Sequence, residues 1–244
     1  MTRGVLLVAG GSRGIGAATA REAAAEGYDV VLSYVQDASA AERVAEQVRG
    51  LGRRALAVRA DTAEEADIDR LFSAVDDFGP LRVMVYNSGI TGAHSTLVEA
   101  STETIDHVLA VNVRGAILSA RASVARMSTA RGGEGGSIVL LSSRASVYGS
   151  PGEFVWYAAS KGAIDSFTIG LAREVAREGV RVNAVAPGPI ATDMHRPGRL
   201  EEGVRKSAFG RAGTPEEVAA AILFLASEKS AFTTGAVLSI SGGA

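Results

Sequence analysis

Short apolar runs alternate with longer segments of helical periodicity along the whole chain of 244 residues. The runs predict seven strands, at residues 5–9, 29–34, 55–59, 82–86, 137–142, 180–186 and 236–240. The segments between them predict helices near residues 14–26, 38–50, 64–77, 101–129, 156–178 and 215–226. Such alternation is typical of an α/β fold with a doubly wound, seven-stranded parallel sheet and helices on both faces. No repeat or linker interrupts it, so we expect a single domain over residues 1–244.

The first predicted strand leads directly into a glycine-rich turn at the start of the first predicted helix. The turn reads Ala9-Gly10-Gly11-Ser12-Arg13-Gly14-Ile15-Gly16. Glycine lets the backbone turn tightly and approach a ligand closely, and the N–H groups at a helix start favour a negatively charged pyrophosphate. The turn therefore indicates a dinucleotide site, although glycine-rich turns also occur for steric reasons alone.

Polar and turn-forming residues follow four of the other predicted strands. They are Asp61-Thr62, Asn87-Ser88-Gly89, Ser142-Ser143 and Pro187-Gly188-Pro189-Ile190. Ligands of a doubly wound sheet bind at the carboxyl ends of its strands, so we expect these residues to line one site. Two alternatives stay open, because all of these are ordinary turn residues and Asp61 or Thr62 would also suit a helix N-cap.

Tyr157 and Lys161 lie one helical turn apart in the run Trp156-Tyr157-Ala158-Ala159-Ser160-Lys161-Gly162. A free phenol has a pKa of about 10, so it exchanges protons poorly at neutral pH unless a positive charge lies nearby. Residues i and i+4 are neighbours on a helix, so Lys161 is placed to supply that charge. The pair predicts an acid–base group, and an exposed Tyr and Lys on an amphipathic helix is the alternative.

Composition narrows the class of protein. The chain is 47% hydrophobic and 21% charged with a net charge of −2, which fits one compact domain and argues against a nucleic-acid-binding surface. It has no cysteine, and its three histidines (His94, His107 and His195) are scattered, so we expect no metal site. Since it lacks an apolar run of about 18 residues and a signal peptide, a cytoplasmic protein with no membrane partner is expected.

Together these segments resemble the short-chain dehydrogenase/reductase family, from Val5 to Gly243. The family's T-G-x-x-x-G-x-G motif corresponds to residues 9–16, its N-N-A-G motif to residues 86–89, and its Y-x-x-x-K motif to residues 157–161. Ala9, Tyr86 and Ser88 depart from the pattern, in which Thr, Asn and Ala stand at these positions, and the departures alter hydrogen bonds around the cofactor loop. Overall similarity is greatest to the 3-oxoacyl-[acyl-carrier-protein] reductase-like and glucose 1-dehydrogenase-like members.

The resemblance implies a Rossmann fold and an enzyme that transfers a hydride between a nicotinamide cofactor and a carbonyl or secondary alcohol. Tyr157 would be the acid–base group, and Lys161 would lower the pKa of its phenol towards 7 and bind the nicotinamide ribose. Ser143 would hydrogen-bond the substrate oxygen, with Ser142 as the alternative serine, and Asn112 would support a proton relay. A catalytically silent, dinucleotide-binding sensor is the alternative function.

The end of the second predicted strand bears on the choice of cofactor. An NAD-preferring enzyme usually has an acidic residue there, whereas this chain has Ser33 and Tyr34, and Arg13 could pair with a 2′-phosphate. NADP(H) is therefore favoured, and Asp37 leaves NAD(H) open. The expected cofactor-binding residues are Gly10, Ser12, Arg13, Gly14, Ile15, Gly16, Ser33, Tyr34, Asp61, Thr62, Asn87, Ser88, Gly89, Tyr157, Lys161, Pro187, Gly188, Ile190 and Thr192.

Substrate recognition is expected from residues 88–96, from residues 144–156 and from a short mobile lid. The lid would contain Thr192, Asp193, Met194, His195 and Arg196. Phe154 and Trp156 either line the pocket or belong to the core or to an interface. An acyl-carrier protein stays open as a substrate carrier because of three basic residues, Arg121, Arg126 and Arg131. The family members that the chain most resembles are usually tetramers, and the apolar last strand suits a sheet edge covered by another subunit, so a homotetramer is expected.

Overall fold

The computed structural model describes residues 2–193 and 198–244. Its centre is one parallel sheet of seven strands in the order β3-β2-β1-β4-β5-β6-β7. The strands are β1 (Val5–Ala9), β2 (Asp29–Tyr34), β3 (Ala55–Arg59), β4 (Leu81–Tyr86), β5 (Gly136–Leu141), β6 (Val180–Pro187) and β7 (Val237–Ile240). Every predicted strand is present with its ends within about one residue of the prediction, and the predicted fold is confirmed.

Helices connect successive strands. They are α1 (Gly14–Ala25), α2 (Ala38–Gly50), α3 (Glu65–Phe78), α4 (Thr102–Leu109), α5 (Ala116–Met127), α6 (Ala145–Tyr148), α7 (Val155–Val175), α8 (Arg199–Lys206) and α9 (Pro215–Ala226). The sequence pattern predicted neither α6 nor α8. The first is a single turn, and the second, Arg-Leu-Glu-Glu-Gly-Val-Arg-Lys, is too polar to show an apolar period.

Apolar side chains fill both faces of the sheet. Leu6 and Val8 of β1 belong to one core cluster, whereas Val5 and Leu7 belong to the cluster on the other side. Successive side chains of a strand point to opposite faces. Because helices cover both faces, the strands are apolar at nearly every position, which is typical of parallel sheets.

The strand order reverses at β1, which pairs with β2 on one side and with β4 on the other. The carboxyl ends of β1 and β4 therefore border the crevice in which doubly wound sheets bind their ligands. Gly10 follows β1 directly, and Asn87 follows β4. The fold thus brings the glycine turn after β1 and the polar turn after β4 to the same edge of the sheet.

The single helix predicted over residues 101–129 is divided into α4 and α5 by a π-helical turn, Ala110–Gly115. Such turns are rare and occur most often near functional sites. The continuous helical segment Thr102–Met127 has the length and mean hydropathy, 1.3, of a membrane span, and 44% of its most apolar window is buried within the fold. Buried core helices share these properties, so the segment does not by itself indicate a membrane protein.

Candidate active site

A cavity of about 1520 Å³ opens at the carboxyl ends of the strands. Its lining includes the glycine turn after β1, residues after β2 to β6, and part of α7. Every residue expected to bind the cofactor or take part in catalysis lines this cavity, except Gly16 and Asn112. The structure therefore gathers residues that lie far apart in the sequence into one concave site.

The glycine turn allows the protein backbone to approach a ligand closely. Gly10 and Gly14 have φ values of +77° and +52°, in the left-handed region that favours glycine. Gly16 lies against the Gly10 carbonyl, and a Cβ at this position would be 2.6 Å from Asn87 Nδ2. The N-cap residue Arg13 makes no side-chain cap, so no side-chain cap competes with an anion for the N–H groups at the start of α1.

Ser33, on β2, holds the glycine turn through two hydrogen bonds. Its Oγ accepts a hydrogen bond from the Gly10 N–H at 3.0 Å, and its carbonyl accepts one from the Gly11 N–H at 2.9 Å. Thr192 lies over the other side of the turn, because a Cβ on Gly14 would be 3.3 Å from Thr192 Cγ2. These contacts leave little room for movement of the turn.

The departure at Tyr86 and the motif residue Asn87 both hydrogen-bond to neighbouring segments of the site. The Tyr86 hydroxyl donates to the Val111 carbonyl at 2.6 Å and lies 2.9 Å from Thr62 Oγ1. Asn87 Nδ2 donates to the Gly10 carbonyl at 2.5 Å and so joins the turn after β4 to the glycine turn. Burial raises the pKa of the Tyr86 phenol, which makes it a structural hydroxyl rather than an acid.

Asp61 and Thr62 do not cap α3. The N-cap of this helix is Glu64, which makes no side-chain cap. Asp61 Oδ1 accepts a hydrogen bond from the Ala63 N–H at 2.9 Å, within the turn after β3. Both residues line the cavity, so the N-cap alternative is wrong for them.

The structure distinguishes the two candidate serines. Ser142 is buried, and its hydroxyl lies 3.4 Å from the Lys161 carbonyl, to which it donates. The Ser143 side chain instead hydrogen-bonds the Tyr157 phenol and accepts a hydrogen bond from the Ala145 N–H at 3.1 Å. Ser143 is therefore the serine whose side chain lies beside the phenol, and its catalytic role stays a prediction.

The Tyr157 phenol is only 8% exposed, and burial raises its pKa. The hydrogen bond to Ser143 and the charge of Arg199 act in the opposite direction. This differs from the expected lowering of the phenol pKa by Lys161, because the Lys161 Nζ lies 5.6 Å from the centre of the Tyr157 ring and donates to the Leu141 carbonyl at 2.7 Å. The raised pKa makes this phenol a weaker acid than a free tyrosine side chain.

Lys161 is buried beside Tyr157, and burial lowers its pKa to about 8. The charge of Asp165 partly opposes this effect. A Cβ on Gly89 would be 3.3 Å from the Lys161 Nζ and 3.5 Å from Asn112 Oδ1. Glycine at this position therefore keeps space open beside the ammonium.

Asn112 lies behind the cavity on the π-helical turn. Its side-chain Oδ1 accepts a hydrogen bond from the Ile90 N–H at 2.9 Å, and its Nδ2 donates to the Ile90 carbonyl at 2.9 Å and to Ser160 Oγ at 3.0 Å. These bonds fix the backbone between Gly89 and Thr91 against α7. A relay role for Asn112 stays a prediction.

Two of the large aromatic side chains are core residues. Phe154 and Trp156 are each 4% exposed and pack in one apolar cluster with Tyr157. The Trp156 indole donates to the Thr91 carbonyl at 2.9 Å, and the Phe154 ring packs edge-to-face on the Tyr157 ring at 5.6 Å between centroids. Neither lines the cavity, so the pocket-lining alternative is wrong and both belong to the core.

The substrate side of the cavity is closed in part by α8. Arg199, its first residue, lies 3.3 Å from Glu153 Oε1 through its Nε, and its guanidinium lies 4.7 Å from the centre of the Phe154 ring. Thr192 and Asp193 of the expected lid line the cavity, whereas Met194, His195 and Arg196 lie outside the described residues. Sequence patterns missed Arg199, because nothing in a polar helix marks which residue turns towards the site.

Two arginines, one in the glycine turn and one on α2, bring positive charge to the cavity. Arg13 and Arg43 both line it, and neither forms an ion pair within the described part of the chain. Asp37 Oδ1 accepts a hydrogen bond from the Ala40 N–H at 2.8 Å and so caps α2. Arg43 was not among the predicted residues, although its place one turn into α2 after β2 could have suggested it.

The residues present fit a dinucleotide and give no sign of a metal site. A glycine turn that excludes side chains, an uncapped helix start and two arginines suit a phosphate-bearing ligand. Among residues 2–193 and 198–244, no group of three His, Asp or Glu side chains could hold a metal ion.

Comparison with known proteins gives a consistent result. Residues 9–244 match the family model described as enoyl-(acyl carrier protein) reductase. The chain is 45% identical over 244 residues to the uncharacterized oxidoreductase YgfF of Escherichia coli K12, covering 98% of this chain and 99% of that protein. It is 38% identical over 245 residues to a 3-oxoacyl-[acyl-carrier-protein] reductase of Synechocystis, covering 100% and 97% of the two chains.

A solved structure agrees over nearly the whole chain. The crystal structure of a short-chain dehydrogenase from Burkholderia cenocepacia in complex with NADP has a TM-score of 0.92 and 36% identity, covering 98% of this chain and 96% of that chain. The fold and the site define a dinucleotide-binding oxidoreductase that acts on CH–OH or C=O groups. The chain belongs to the short-chain dehydrogenase/reductase family.

Proposed function

We propose that the protein is an NADP(H)-dependent reductase of carbonyl compounds, with Tyr157 as its acid–base group. The observation that carries this proposal is the arrangement of Ser143, Tyr157 and Lys161 in one cavity with the glycine turn. A cavity with both a dinucleotide site and a proton donor suits hydride transfer coupled to proton transfer. Substrates of the 3-oxoacyl, ketone or sugar type fit this chemistry, and the relative in Synechocystis is named for the first of them.

Positive charge in the cavity supports NADP(H) as the cofactor. A 2′-phosphate needs cationic partners, and Arg13 and Arg43 line the cavity. Asp37 is engaged in capping α2, which weakens the case for NAD(H) without excluding it. The Burkholderia structure, at 36% identity, was solved with NADP bound.

Each side chain has one task in the proposed reaction. The bound nicotinamide supplies the hydride for the substrate carbon. Ser143 donates a hydrogen bond to the substrate oxygen, and Tyr157 donates the proton that this oxygen needs as it becomes a hydroxyl. The Lys161 Nζ lies 5.6 Å from the centre of the Tyr157 ring, and we propose that its charge favours the phenolate once the proton has left, because a positive charge favours the ionised form of a neighbouring acid.

Consumption of NADPH, with NADH in parallel, tests the proposal against a panel of carbonyl compounds. The panel contains keto-esters, diketones, quinones, sugars, and both 3-oxoacyl and enoyl thioesters, assayed in both directions. We expect NADPH-dependent turnover of at least one carbonyl class. Cofactor binding with no turnover of any compound would instead favour the silent sensor, for which the named oxidoreductases among the relatives give no support.

Replacing Arg13 with glutamine is expected to raise the KM for NADPH by roughly tenfold to 100-fold, the effect of a lost charge-assisted hydrogen bond. The KM for NADH should change little, because this cofactor has no 2′-phosphate. Steady-state kinetics with both cofactors measures the difference. Arg205→Gln is the control, since Arg205 is exposed on α8 and does not line the cavity. An equal loss for both cofactors would contradict the assignment of Arg13.

Turnover is expected to fall as the pH rises through about 8, because burial lowers the pKa of Lys161 to about 8. Below this value the ammonium is charged and stabilises the phenolate, and above it the charge is lost. The kcat measured at saturating NADPH, from about pH 6 to about pH 10, tests this. Lys161→Arg keeps its charge throughout this range, so any activity it retains should lack the fall. A wild-type kcat that is constant across pH 8 would contradict the prediction.

A homotetramer in the cytoplasm is part of the proposal. The edge strand β7 and its surroundings expose apolar side chains, with Phe224, Phe232 and Leu238 at 44%, 106% and 37% exposure. Such an edge is suited to a second subunit.

The cytoplasm is proposed because the reaction needs a pool of nicotinamide cofactor. A carrier protein as substrate donor is less favoured, since Arg121 pairs with Glu65 and Arg126 pairs with Asp76.

A further inference from the structure

Tyr157, Lys161 and Asp165 follow one another at intervals of four residues along α7. Residues spaced by four lie on one face of a helix. Long helical side chains lean back over the preceding turn, so the Lys161 side chain extends towards Tyr157 and the Asp165 side chain extends towards Lys161. The three groups form a line of phenol, ammonium and carboxylate, which we call the α7 line.

The middle member of the α7 line is a buried charge whose hydrogen-bond partner, within the described part of the chain, is neutral. Lys161 is 4% exposed, and its Nζ donates to the Leu141 carbonyl at 2.7 Å. Removing an ammonium from water is costly unless an opposite charge lies near it. The carbonyl supplies a hydrogen bond but no net charge, so the site needs a carboxylate to keep the ammonium protonated.

The last member of the α7 line has an oxygen that its surroundings do not use. Asp165 Oδ1 is buried, and no donor within the described residues hydrogen-bonds it. A carboxylate oxygen in this condition is rare in folded proteins, because its desolvation is left uncompensated. The negative charge of the Asp165 carboxylate therefore acts at short range on Lys161, the nearest buried cation on the same face of the helix.

The other charged groups on elements packed against α7 have other partners or lie at the surface. Arg114 and Arg121 pair with Glu65, Arg126 pairs with Asp76, and Arg181 donates to carbonyls at the end of α9. Arg144 is bonded to Tyr148 and to the Ala244 carbonyl. On α4, Glu103, Asp106 and His107 are exposed. Among the described residues, the charge of Asp165 is the one that opposes the lowering of the Lys161 pKa by burial.

We propose that Asp165 is a positioning residue that holds Lys161 in its charged form at neutral and mildly alkaline pH. The effect on the lysine itself needs no turnover, whereas its consequence for catalysis rests on the proposed function. The charge of Asp165 raises the pKa of Lys161 against the larger lowering by burial, which agrees in sign with the geometry.

The titration of Lys161 can be followed directly, because the chain has only three lysines, Lys161, Lys206 and Lys229. With 13Cε-labelled lysine, cofactor-free protein should give three resolvable NMR signals, and Lys161→Arg identifies one of them. In the wild type that signal should titrate near pH 8, following the pKa of about 8. Asp165→Asn should lower its midpoint by roughly one pH unit, the size of effect expected from a nearby opposite charge.

Two further variants make the result specific. Asp165→Glu keeps the charge and should restore the midpoint, whereas Glu174→Gln removes an exposed acid from the same helix and should leave it unchanged. Glu174 lies about 20 Å from Lys161 along the axis of α7, at about 1.5 Å per residue. A folded Asp165→Asn protein with an unchanged Lys161 midpoint would overturn the proposal.

The pH dependence of kcat separates this proposal from the proposed function. If both hold, Asp165→Asn shifts the alkaline fall of kcat to lower pH by the same amount as the NMR midpoint recorded with NADP⁺ bound, with little change in KM for NADPH, because kcat reports the groups of the complex. If the midpoint with NADP⁺ bound shifts and the kcat profile does not, the Asp165–Lys161 interaction stands and the role of Lys161 in turnover fails.

Discussion

Replacing Tyr157 with phenylalanine is expected to reduce kcat by several orders of magnitude and to leave the fold and cofactor binding intact. The variant loses the hydroxyl that donates the proton, and general acid–base catalysis alone is worth roughly 10²- to 10⁴-fold. The ring remains, so the edge-to-face packing on Phe154 at 5.6 Å is retained. The hydrogen bond with the Ser143 side chain disappears as well, which adds to the loss.

Stopped-flow or steady-state consumption of NADPH measures the loss, and fluorescence titration measures cofactor affinity. Tyr28→Phe is the matched control, because Tyr28 is also a buried tyrosine, at 5% exposure, but lies outside the cavity. It should keep wild-type kcat. Near-normal turnover by Tyr157→Phe would show that another group supplies the proton.

Replacing Gly16 with alanine is expected to weaken cofactor binding by roughly 100-fold or more and to lower the Tm. The new Cβ would collide with the Gly10 carbonyl and lie 2.6 Å from Asn87 Nδ2. Both neighbours belong to the framework of the site, because Asn87 Nδ2 donates to the same Gly10 carbonyl. Relief of the clash must therefore move the glycine turn, and a displacement of about 1 Å at a binding site costs on the order of 100-fold.

Fluorescence titration with NADPH and thermal denaturation check this prediction together. Gly170→Ala is the control, since nothing lies within 4 Å of a Cβ at this helical position. Alanine is the better helix former, so this variant should be more stable by about 0.5–1 kcal/mol and bind NADPH normally. An unchanged NADPH affinity for Gly16→Ala would contradict the assigned cofactor site.

Local patterns were sufficient for most of the fold. β1 and α1 could be predicted because an apolar run, a glycine turn and an alanine-rich segment follow one another without interruption. The π-helical turn Ala110–Gly115 could not, since it leaves the apolar pattern of the surrounding helix unchanged. α8 was missed because its position depends on contacts such as Arg199 with Phe154, which join segments far apart in the sequence.

Motif spacing found the components of the site but not their surroundings. The choice between Ser142 and Ser143 depends on how β5 ends, and the structure turns the first hydroxyl towards a helix carbonyl. The pKa of Tyr157 was expected to fall, yet burial raises it. Spacing shows that Lys161 is a neighbour, but it does not show how deeply the phenol is buried. Desolvation is a property of the whole fold, so sequence proximity cannot give it.

Transfer of deuterium tests the central claim most directly. Wild-type protein is incubated with a carbonyl substrate from the panel and NADPH carrying deuterium at the reactive C4 position, and the product alcohol is analysed by mass spectrometry and NMR. We predict one deuterium at the former carbonyl carbon, formed at a rate that Tyr157→Phe reduces by several orders of magnitude. A product without deuterium at that carbon, or one formed equally fast by the variant, would contradict the account.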